Sequence, residues 1–170
     1  MNVREMCRVA LMTAVLCAVG PMTIPLGPVP ISLATLVVYL AGTILGAKRG
    51  VLAVVLYLLI GAAGVPIFSG FSAGVQKIAG VTGGYLLGYL ICAAVTGLAA
   101  DCSGGLRLLA MTVGTLCCYA IGTMWFMAQT GVDLSGALLS CVIPFLPGDV
   151  LKIIAANAVT DAMKKSRTSR

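Results

Sequence analysis

Residues 9–47 read VALMTAVLCAVGPMTIPLGPVPISLATLVVYLAGTILGA and contain no charged side chain. A helix that crosses the apolar core of a bilayer needs about 20 apolar residues, so this stretch is long enough for two crossings. Its middle is interrupted by helix-breaking residues, namely Pro21, Pro25, Gly27, Pro28 and Pro30. The sequence therefore predicts a helix at about 7–22, a proline-rich loop, and a second helix at about 31–47.

The composition of the whole chain places it in a membrane. Hydrophobic residues make up 60% of the 170 residues and charged residues only 9%, and the mean hydropathy is +1.09. Soluble domains average about 25% charged residues, so this chain cannot cover a soluble surface with polar groups. Six spans would use most of its length, which predicts an all-α integral membrane protein in which residues 1–170 form one domain with six transmembrane helices.

The other four helices are predicted at about 50–65, 81–100, 107–129 and 140–163, with Lys48-Arg49-Gly50 as a charged turn before the first of them. Residues 64–80, GVPIFSGFSAGVQKIAG, are too rich in glycine for a confident helix and too apolar for an ordinary solvated loop. Irregular backbone near a membrane is tolerated where protein covers it or where it lines a cavity.

The basic residues predict the orientation of the chain. With six spans, nine of them fall on one side: Arg4, Arg8, Lys48, Arg49, Arg107, Lys164, Lys165, Arg167 and Arg170. Lys77 is alone in the loops opposite. Because cytoplasmic loops carry the excess of Lys and Arg, both termini are expected in the cytoplasm, with the loops at 21–30, 64–80 and 130–139 facing outward.

Several classes of function lack their motifs. The net charge of +6 comes from basic residues at helix ends, which act as topology signals and do not indicate nucleic-acid binding. The chain has no His, no Cys-x-x-Cys and no phosphate-binding G-x-x-x-x-G-K-[ST] motif, so neither a metal site nor ATP hydrolysis is expected. Arg4 and Arg8 precede an apolar run without a clear cleavage site, so we expect a retained helix and not a signal peptide.

Small residues recur at helical spacing. Ala10, Ala14 and Ala18 form one smooth face of the first helix, which fits either packing within the bundle or docking of another membrane subunit. The pairs Gly42/Gly46 and Gly84/Gly88 follow the same spacing, and we interpret them as internal packing.

Aromatic residues and one lysine gather on the predicted outer side. Phe68, Phe71 and Tyr85 lie there with Lys77. They fit an interfacial aromatic belt with a solvated lysine, or equally a lid over an apolar ligand.

Two charges stand inside the last predicted span, in the stretch PFLPGDVLK at 144–152. Pro147 suits a first helical turn, Asp149 suits the positive end of the helix dipole, and Lys152 follows on the same face at i+3. Counting ~1.5 Å per residue from Lys164 places Lys152 ~18 Å above the cytoplasmic end, in the outer half of the membrane. The two charges can form a private ion pair, but charges within a membrane indicate a functional site, here for a polar ligand.

These stretches together resemble the BioY family, the biotin-binding S-components of energy-coupling factor (ECF) transporters. The matching segments are GPVPISLATLVVYLAGTILGAKRG (27–50), GVPIFSGFSAG (64–74), TGGYLLGY (82–89) and PFLPGDVLK (144–152). Lys77 lies outside them, in a variable segment, and Val81 stands where the family often has proline.

The resemblance implies high-affinity biotin uptake across the cytoplasmic membrane of a prokaryote, without a cofactor. It implies a vitamin site near the outer surface, and as partners a transmembrane coupling protein and two ABC-type ATPases. It also favours docking over packing for Ala10, Ala14 and Ala18. We expect Asp149 to accept from biotin and Lys152 to donate to it, with Phe71, Tyr85 and Lys77 as further contacts. An S-component for another vitamin and a membrane enzyme are the alternatives.

Overall fold

The structure is a computed structural model that describes residues 2–24, 29 and 31–168. Within them lie eight helices and one short strand pair: α1 (Val3–Val19), β1 (Thr23–Ile24), β2 (Ile31–Ser32), α2 (Ala34–Leu45), α3 (Ala47–Ala62), α4 (Val75–Ala79), α5 (Gly83–Leu98), α6 (Gly104–Thr130), α7 (Leu134–Cys141) and α8 (Leu146–Thr168). All six predicted helices are present as α1, α2, α3, α5, α6 and α8, with ends shifted by a few residues. The short helices α4 and α7 are additional.

The predicted break between the first two helices contains a small β-hairpin. β1 and β2 pair antiparallel, with Thr23 opposite Ser32 and Ile24 opposite Ile31. The chain is mostly helical, as predicted, and this short ladder is an addition that brings the start of α2 back towards the end of α1. Of the predicted helix breakers, Pro25, Gly27, Pro28 and Pro30 lie outside the described residues.

The turn between α2 and α3 differs from the predicted one. Lys48, Arg49 and Gly50 belong to the first turn of α3, and the chain reverses at Gly46. Gly46 has a φ of +80°, a backbone conformation that side-chain-bearing residues rarely adopt. A single glycine therefore makes the turn, and the two basic residues are carried on the helix.

The predicted outer loop at 130–139 contains α7. Asp133 caps this helix by accepting a hydrogen bond from Gly136 N at 3.3 Å and another from the Ser135 hydroxyl. These bonds, the serine bond first, lower the pKa of Asp133 below its ordinary value. Helices α7 and α8 meet at a bend of 50°. The predicted last helix therefore begins later than expected, at Leu146 in place of about 140.

Helix α5 forms the centre of the bundle, where it packs against α2, α3 and α6. Glycines allow the backbones of these helices to approach one another closely. A β-carbon at Gly42 would lie 2.1 Å from Thr96 Oγ1, and one at Gly84 would lie 2.3 Å from Trp125 Cβ. A β-carbon at Gly88 would meet Cys118 Sγ at 2.7 Å. Internal packing is thus confirmed for these three glycines, whereas Gly46 serves the turn.

The outer surface of the bundle is apolar, as a bilayer requires. Leu11, Leu98, Met124 and Leu151 are each at least two-thirds exposed. Within the described residues, α6 is alone long and apolar enough to cross a membrane, and the bent pair of α7 and α8 passes the same test as one unit. Helices α2 and α5 are apolar but shorter. The count of six spans stays a prediction.

Basic side chains gather at the end of the bundle formed by the start of α1 and the end of α8. Arg8, Arg49 and Lys164 line one cavity there. Arg107 is 2% exposed and donates to Asp161 and, at 3.2 Å, to Asn157 Oδ1. Four of the nine predicted cytoplasmic charges, Arg8, Arg49, Arg107 and Lys164, therefore share one end of the structure, and Arg170 lies outside the described residues.

Candidate ligand-binding site

The two charges of PFLPGDVLK form a buried ion pair in the first turns of α8. Pro147 lies in the first turn of that helix, as predicted. Lys152 Nζ lies 2.8 Å from Asp149 Oδ1, and the two residues are only 8% and 4% exposed. Removing two charges from water costs free energy, so a buried ion pair needs further hydrogen-bond partners to be stable.

Lys152 uses all of its protons within the protein. Besides Asp149, its ammonium donates to the main-chain oxygen of Ser32 at 2.7 Å and to Thr35 Oγ1 at 3.1 Å. An ammonium has three protons, so no donor remains unless one of these bonds is exchanged. Lys152 therefore fastens the hairpin and the start of α2 to α8.

The other oxygen of Asp149 accepts from α6. Tyr119 OH donates to Asp149 Oδ2 at 2.5 Å. Each carboxylate oxygen has about two acceptor positions, so Asp149 keeps capacity for further donors. The hydroxyl oxygen of Tyr119 also keeps its ability to accept.

A second hydroxyl pair lies deeper in the same region. Thr115 Oγ1 donates its single proton to Met111 O at 2.8 Å. The 2.6 Å bond between Tyr39 OH and Thr115 Oγ1 must then be donated by Tyr39. Tyr39 therefore offers only acceptor positions to a ligand.

These groups line one pocket. Its cavity volume is about 40 Å³, and about 470 Å³ of empty space lies between its walls when the open space at its mouth is included. Its walls are mostly apolar, with the polar atoms in a few places. The lining residues are Val29, Ser32, Thr35, Tyr39, Tyr85, Tyr89, Cys92, Thr115, Cys118, Tyr119, Phe145, Asp149 and Lys152.

A smaller chamber adjoins this pocket through the shared residues Val29, Tyr85 and Tyr89. It has about 300 Å³ of empty space, with the open space at its mouth included, and its other lining residues are Phe68, Ser69, Lys77, Thr82 and Leu86. We call the two spaces the main pocket and the side chamber.

The structure brings together most of the residues predicted to bind a ligand. Asp149, Lys152 and Tyr85 line the main pocket, and Lys77 lines the side chamber with Tyr85. Phe71 lines neither space and is 70% exposed, at a positive φ of 58°.

Phe68 takes the inward position in place of Phe71. Its amide donates to Ser72 O at 3.0 Å, and its ring stacks edge-on against Tyr57 with the centroids 5.5 Å apart. The glycine-rich loop therefore turns one phenylalanine into the core and the other outward.

The three alanines predicted as a docking face are all exposed. Ala10, Ala14 and Ala18 pack against no other helix closely enough to be buried. Leu11 and Val15 beside them are also exposed, at 68% and 39%. Contacts within this chain therefore do not explain why small residues recur on this face of α1.

Sequence reasoning missed the hydroxyl groups of the pocket, above all Tyr39, Tyr119 and Thr35. The sequence did contain an indication of these residues. Each is a polar side chain inside an apolar stretch, and buried polar groups require hydrogen-bond partners. Such residues are frequent in membrane helices, so only the fold showed which of them face the charge pair.

Among the described residues, no group of three His, Cys, Asp or Glu side chains could hold a metal ion. The cysteines are free thiols, and Cys92 and Cys118 are buried in the pocket wall. The arrangement is that of a binding pocket with fixed acceptors and apolar walls.

Comparison with known proteins identifies relatives over nearly the whole length. The model of the BioY family matches residues 1–169. A probable biotin transporter BioY of Pyrococcus horikoshii is 35% identical over 164 residues, covering 96% of this chain and 98% of the relative. The biotin transporter BioY of Thermotoga maritima is 35% identical over 170 residues, covering 98% and 99%.

A solved structure shares the fold. It is the crystal structure of the S-component for biotin from an ECF-type ABC transporter, with a TM-score of 0.88 and 27% identity. The match covers 96% of this chain and 92% of that one.

Proposed function

We propose that this chain, which belongs to the BioY family, is an S-component that captures biotin for uptake by an ECF transporter. The observation that carries the proposal is the main pocket built around the buried Asp149–Lys152 pair. The proposal is further supported by the fold, which is similar to that of an S-component for biotin.

The chemistry of the main pocket suits the bicyclic end of biotin. A ureido ring presents two N–H donors, and the pocket presents acceptors at Asp149, Tyr119 and Tyr39. The apolar walls suit the thiophane ring. A few placed polar groups in an apolar cavity are typical of small-molecule sites.

Lys152 supplies the positive charge of this site. A ligand carbonyl can accept from its ammonium in exchange for the 3.1 Å bond to Thr35, which is the longest of its three. In our proposal Lys152 thus contacts both the ligand and strand β2.

In this proposal, partner proteins supply the energy for transport. We propose that the chain assembles with a transmembrane coupling protein and two ABC-type ATPases. The exposed face of Ala10, Ala14 and Ala18 supports this docking, because small residues let another helix backbone approach closely. The function is therefore binding and delivery of the ligand, not catalysis.

We propose that the domain of residues 1–170 spans the cytoplasmic membrane of a prokaryote six times, with both termini in the cytoplasm. The gathering of Arg8, Arg49 and Lys164 at one end supports this orientation. The main pocket then lies near the outer surface. Helices of 16 or 17 residues, such as α1, α3 and α5, reach about 25 Å, which requires flanking residues or a thinned bilayer to complete a crossing.

The experiment is identification of the ligand that co-purifies with the protein from cells, by mass spectrometry, followed by calorimetry with a panel of vitamins. We expect biotin in the purified protein and binding of biotin alone from the panel. Co-purification and tight binding of another vitamin would replace the proposed ligand and keep the class. Turnover of a bound molecule without partners would instead indicate a membrane enzyme.

A further inference from the structure

The cavity at the basic end of the bundle is larger than the main pocket. Its cavity volume is about 240 Å³, against about 40 Å³ for the main pocket. It lies between α1, the turn from α2 to α3, the connection from α5 to α6, and the last turns of α8. We call it the basic cavity. A space of this size holds several water molecules or a small polar group.

Three cationic side chains from three helices line the basic cavity. Arg8 belongs to α1, Arg49 to α3 and Lys164 to α8. Of the described residues that line it, Asp101 alone carries a carboxylate. Glu5 does not line the cavity but forms an ion pair with Arg49. The walls therefore carry an excess of positive charge even when Glu5 is counted.

The two arginines keep hydrogen-bond donors for a ligand. Arg49 donates to Glu5 through Nη2, and a guanidinium has five N–H groups, so most of its donors remain. Arg8 is exposed and forms no ion pair with any described residue. Guanidinium groups bind phosphate through two parallel hydrogen bonds, so these donors suit a phosphate group.

Helix α3 begins at the same cavity with uncompensated positive charge. Its N-cap residue, Gly46, lines the cavity and provides no side-chain cap. The first turn contains Lys48 and Arg49 and no acidic residue. The start of a helix carries partial positive charge, so two cations there are unfavourable. An anion in the basic cavity would offset this repulsion.

Apolar side chains lie beside the cations. Ile44, Leu45 and Met163 also line the basic cavity, and Met163 is 45% exposed. In the proposed orientation this end of the bundle lies among the headgroups of the cytoplasmic leaflet, which contains anionic lipids. A phospholipid carries its phosphate next to apolar chains, whereas a soluble phosphate does not. The lining therefore favours a lipid headgroup.

The basic cavity is separate from the ligand site. Among the described residues, the cavity and the main pocket share no lining residue. Lys152 and Lys164 stand twelve positions apart on α8, which corresponds to ~18 Å along the helix. Substitutions in the cavity can therefore be tested without changing the main pocket.

We propose that the basic cavity binds the phosphate group of an anionic phospholipid through Arg8 and Arg49. The apolar edge at Ile44, Leu45 and Met163 receives the adjoining part of the lipid. This proposal rests on the proposed membrane topology and not on the identity of the transported ligand. It adds a lipid site in the cytoplasmic leaflet to the ligand site near the outer surface.

The test measures lipid binding to the purified full-length protein by native mass spectrometry, with phosphatidylglycerol and phosphatidylcholine as probes. The wild-type protein should bind one phosphatidylglycerol at least about 10-fold more tightly than phosphatidylcholine, since charge-assisted hydrogen bonds are gained. Arg8→Gln and Arg49→Gln should each reduce this preference several-fold. Arg4→Gln removes the same charge from an exposed residue of α1 outside the described lining, and there the preference should persist.

Inorganic phosphate distinguishes the lipid from a soluble anion. In nanodiscs of phosphatidylcholine, inorganic phosphate should leave the thermal stability of the protein equal to that in sodium chloride of the same ionic strength. Phosphatidylglycerol added to the nanodiscs should raise it, because a ligand that binds only the folded protein stabilises it. Equal stabilisation by inorganic phosphate would overturn the lipid assignment in favour of a soluble phosphate.

Three further results would overturn the site. Equal affinity of the wild-type protein for the two lipids excludes recognition of the phosphatidylglycerol headgroup. An equal loss of preference in Arg4→Gln and Arg8→Gln indicates general attraction to a basic surface. Loss of the coupling protein from Arg8→Gln, without any lipid preference in the wild-type protein, assigns the arginine to a protein contact.

Biotin affinity, measured on the same variants, keeps the two proposals apart. We expect it to be unchanged in Arg8→Gln and Arg49→Gln, because neither residue lines the main pocket. Failure of the lipid preference with intact biotin binding overturns the lipid site alone. A lipid preference in a protein that binds no biotin overturns biotin capture and leaves the lipid site standing.

Discussion

The ammonium of Lys152 donates to the main-chain oxygen of Ser32 at 2.7 Å, across 120 positions of sequence. This bond joins the charge pair of α8 to strand β2, which contains Ser32. Because the same ammonium pairs with Asp149, Lys152 both balances the charge of that carboxylate in the main pocket and holds strand β2 against α8.

Substitutions at Asp149 and Lys152 should show whether this ion pair binds the ligand or only stabilises the fold. Asp149→Asn or Lys152→Met alone leaves one buried charge without its partner, which we expect to cost about 3–5 kcal/mol of stability as well as biotin binding. The double variant Asp149→Asn with Lys152→Met removes both charges, so stability should largely return while binding stays lost. Thermal unfolding in detergent and calorimetry measure the two effects. Recovery of biotin binding in the double variant would show that the pair serves the fold alone.

Tyr39 should act as an acceptor for the ligand. Tyr39→Phe removes a hydroxyl that donates to Thr115, so we expect a loss of about 1 kcal/mol of stability and a further loss of affinity of roughly 3- to 10-fold. Tyr57→Phe is the matched control, because Tyr57 OH donates to Ile67 O at 3.0 Å away from the main pocket. That control should lose similar stability and keep its affinity. Equal affinities in the two variants would remove Tyr39 from the site.

The alanine face should serve assembly and not capture. Ala14→Trp places a large side chain on the exposed face of α1, so we expect normal biotin binding but no co-purification with the coupling protein. Leu109→Trp introduces the same side chain on α6, where Leu109 is 58% exposed, and should assemble normally. Normal assembly of the Ala14 variant would return the three alanines to a role in lipid contact only.

The buried guanidinium at the opposite end should affect stability alone. Asp161→Ala deprives Arg107 of a charged partner and leaves Asn157 as its remaining side-chain acceptor. We expect a loss of about 1.5–3 kcal/mol in unfolding free energy, with biotin affinity unchanged because the pocket lies at the other end of α8. Asp101→Ala, at an exposed carboxylate near the same end, is the control and should lose less. A change in affinity for Asp161→Ala would indicate coupling between the two ends.

The helices could be predicted because each is an apolar stretch bounded by charged residues, prolines or glycines. The hairpin and α7 could not, for different physical reasons. The ladder of Thr23 with Ser32 depends on chain reversal over a proline-rich loop, which no local periodicity reports. Helix α7 is short, and its clearest sign was the capping residue Asp133, which reads equally well as a loop residue.

The site was predicted best where the sequence placed charge against an apolar background. Asp149 and Lys152 stood out for that reason, and the structure shows them paired. Tyr39 and Tyr119 did not stand out, because a tyrosine in an apolar helix carries no sign of the direction in which its hydroxyl points. Phe68 and Phe71 were equivalent in sequence, and the backbone of the loop decided between them.

The most direct test of the central claim is a calorimetric titration of biotin into the purified wild-type protein and into Asp149→Asn. We predict saturable binding of one biotin per chain to the wild-type protein, and an affinity at least about 10-fold weaker for the variant, since a hydrogen bond to a charged acceptor is lost. Equal affinity in the two proteins, or no binding to the wild-type protein, would contradict a biotin site built on Asp149 and Lys152.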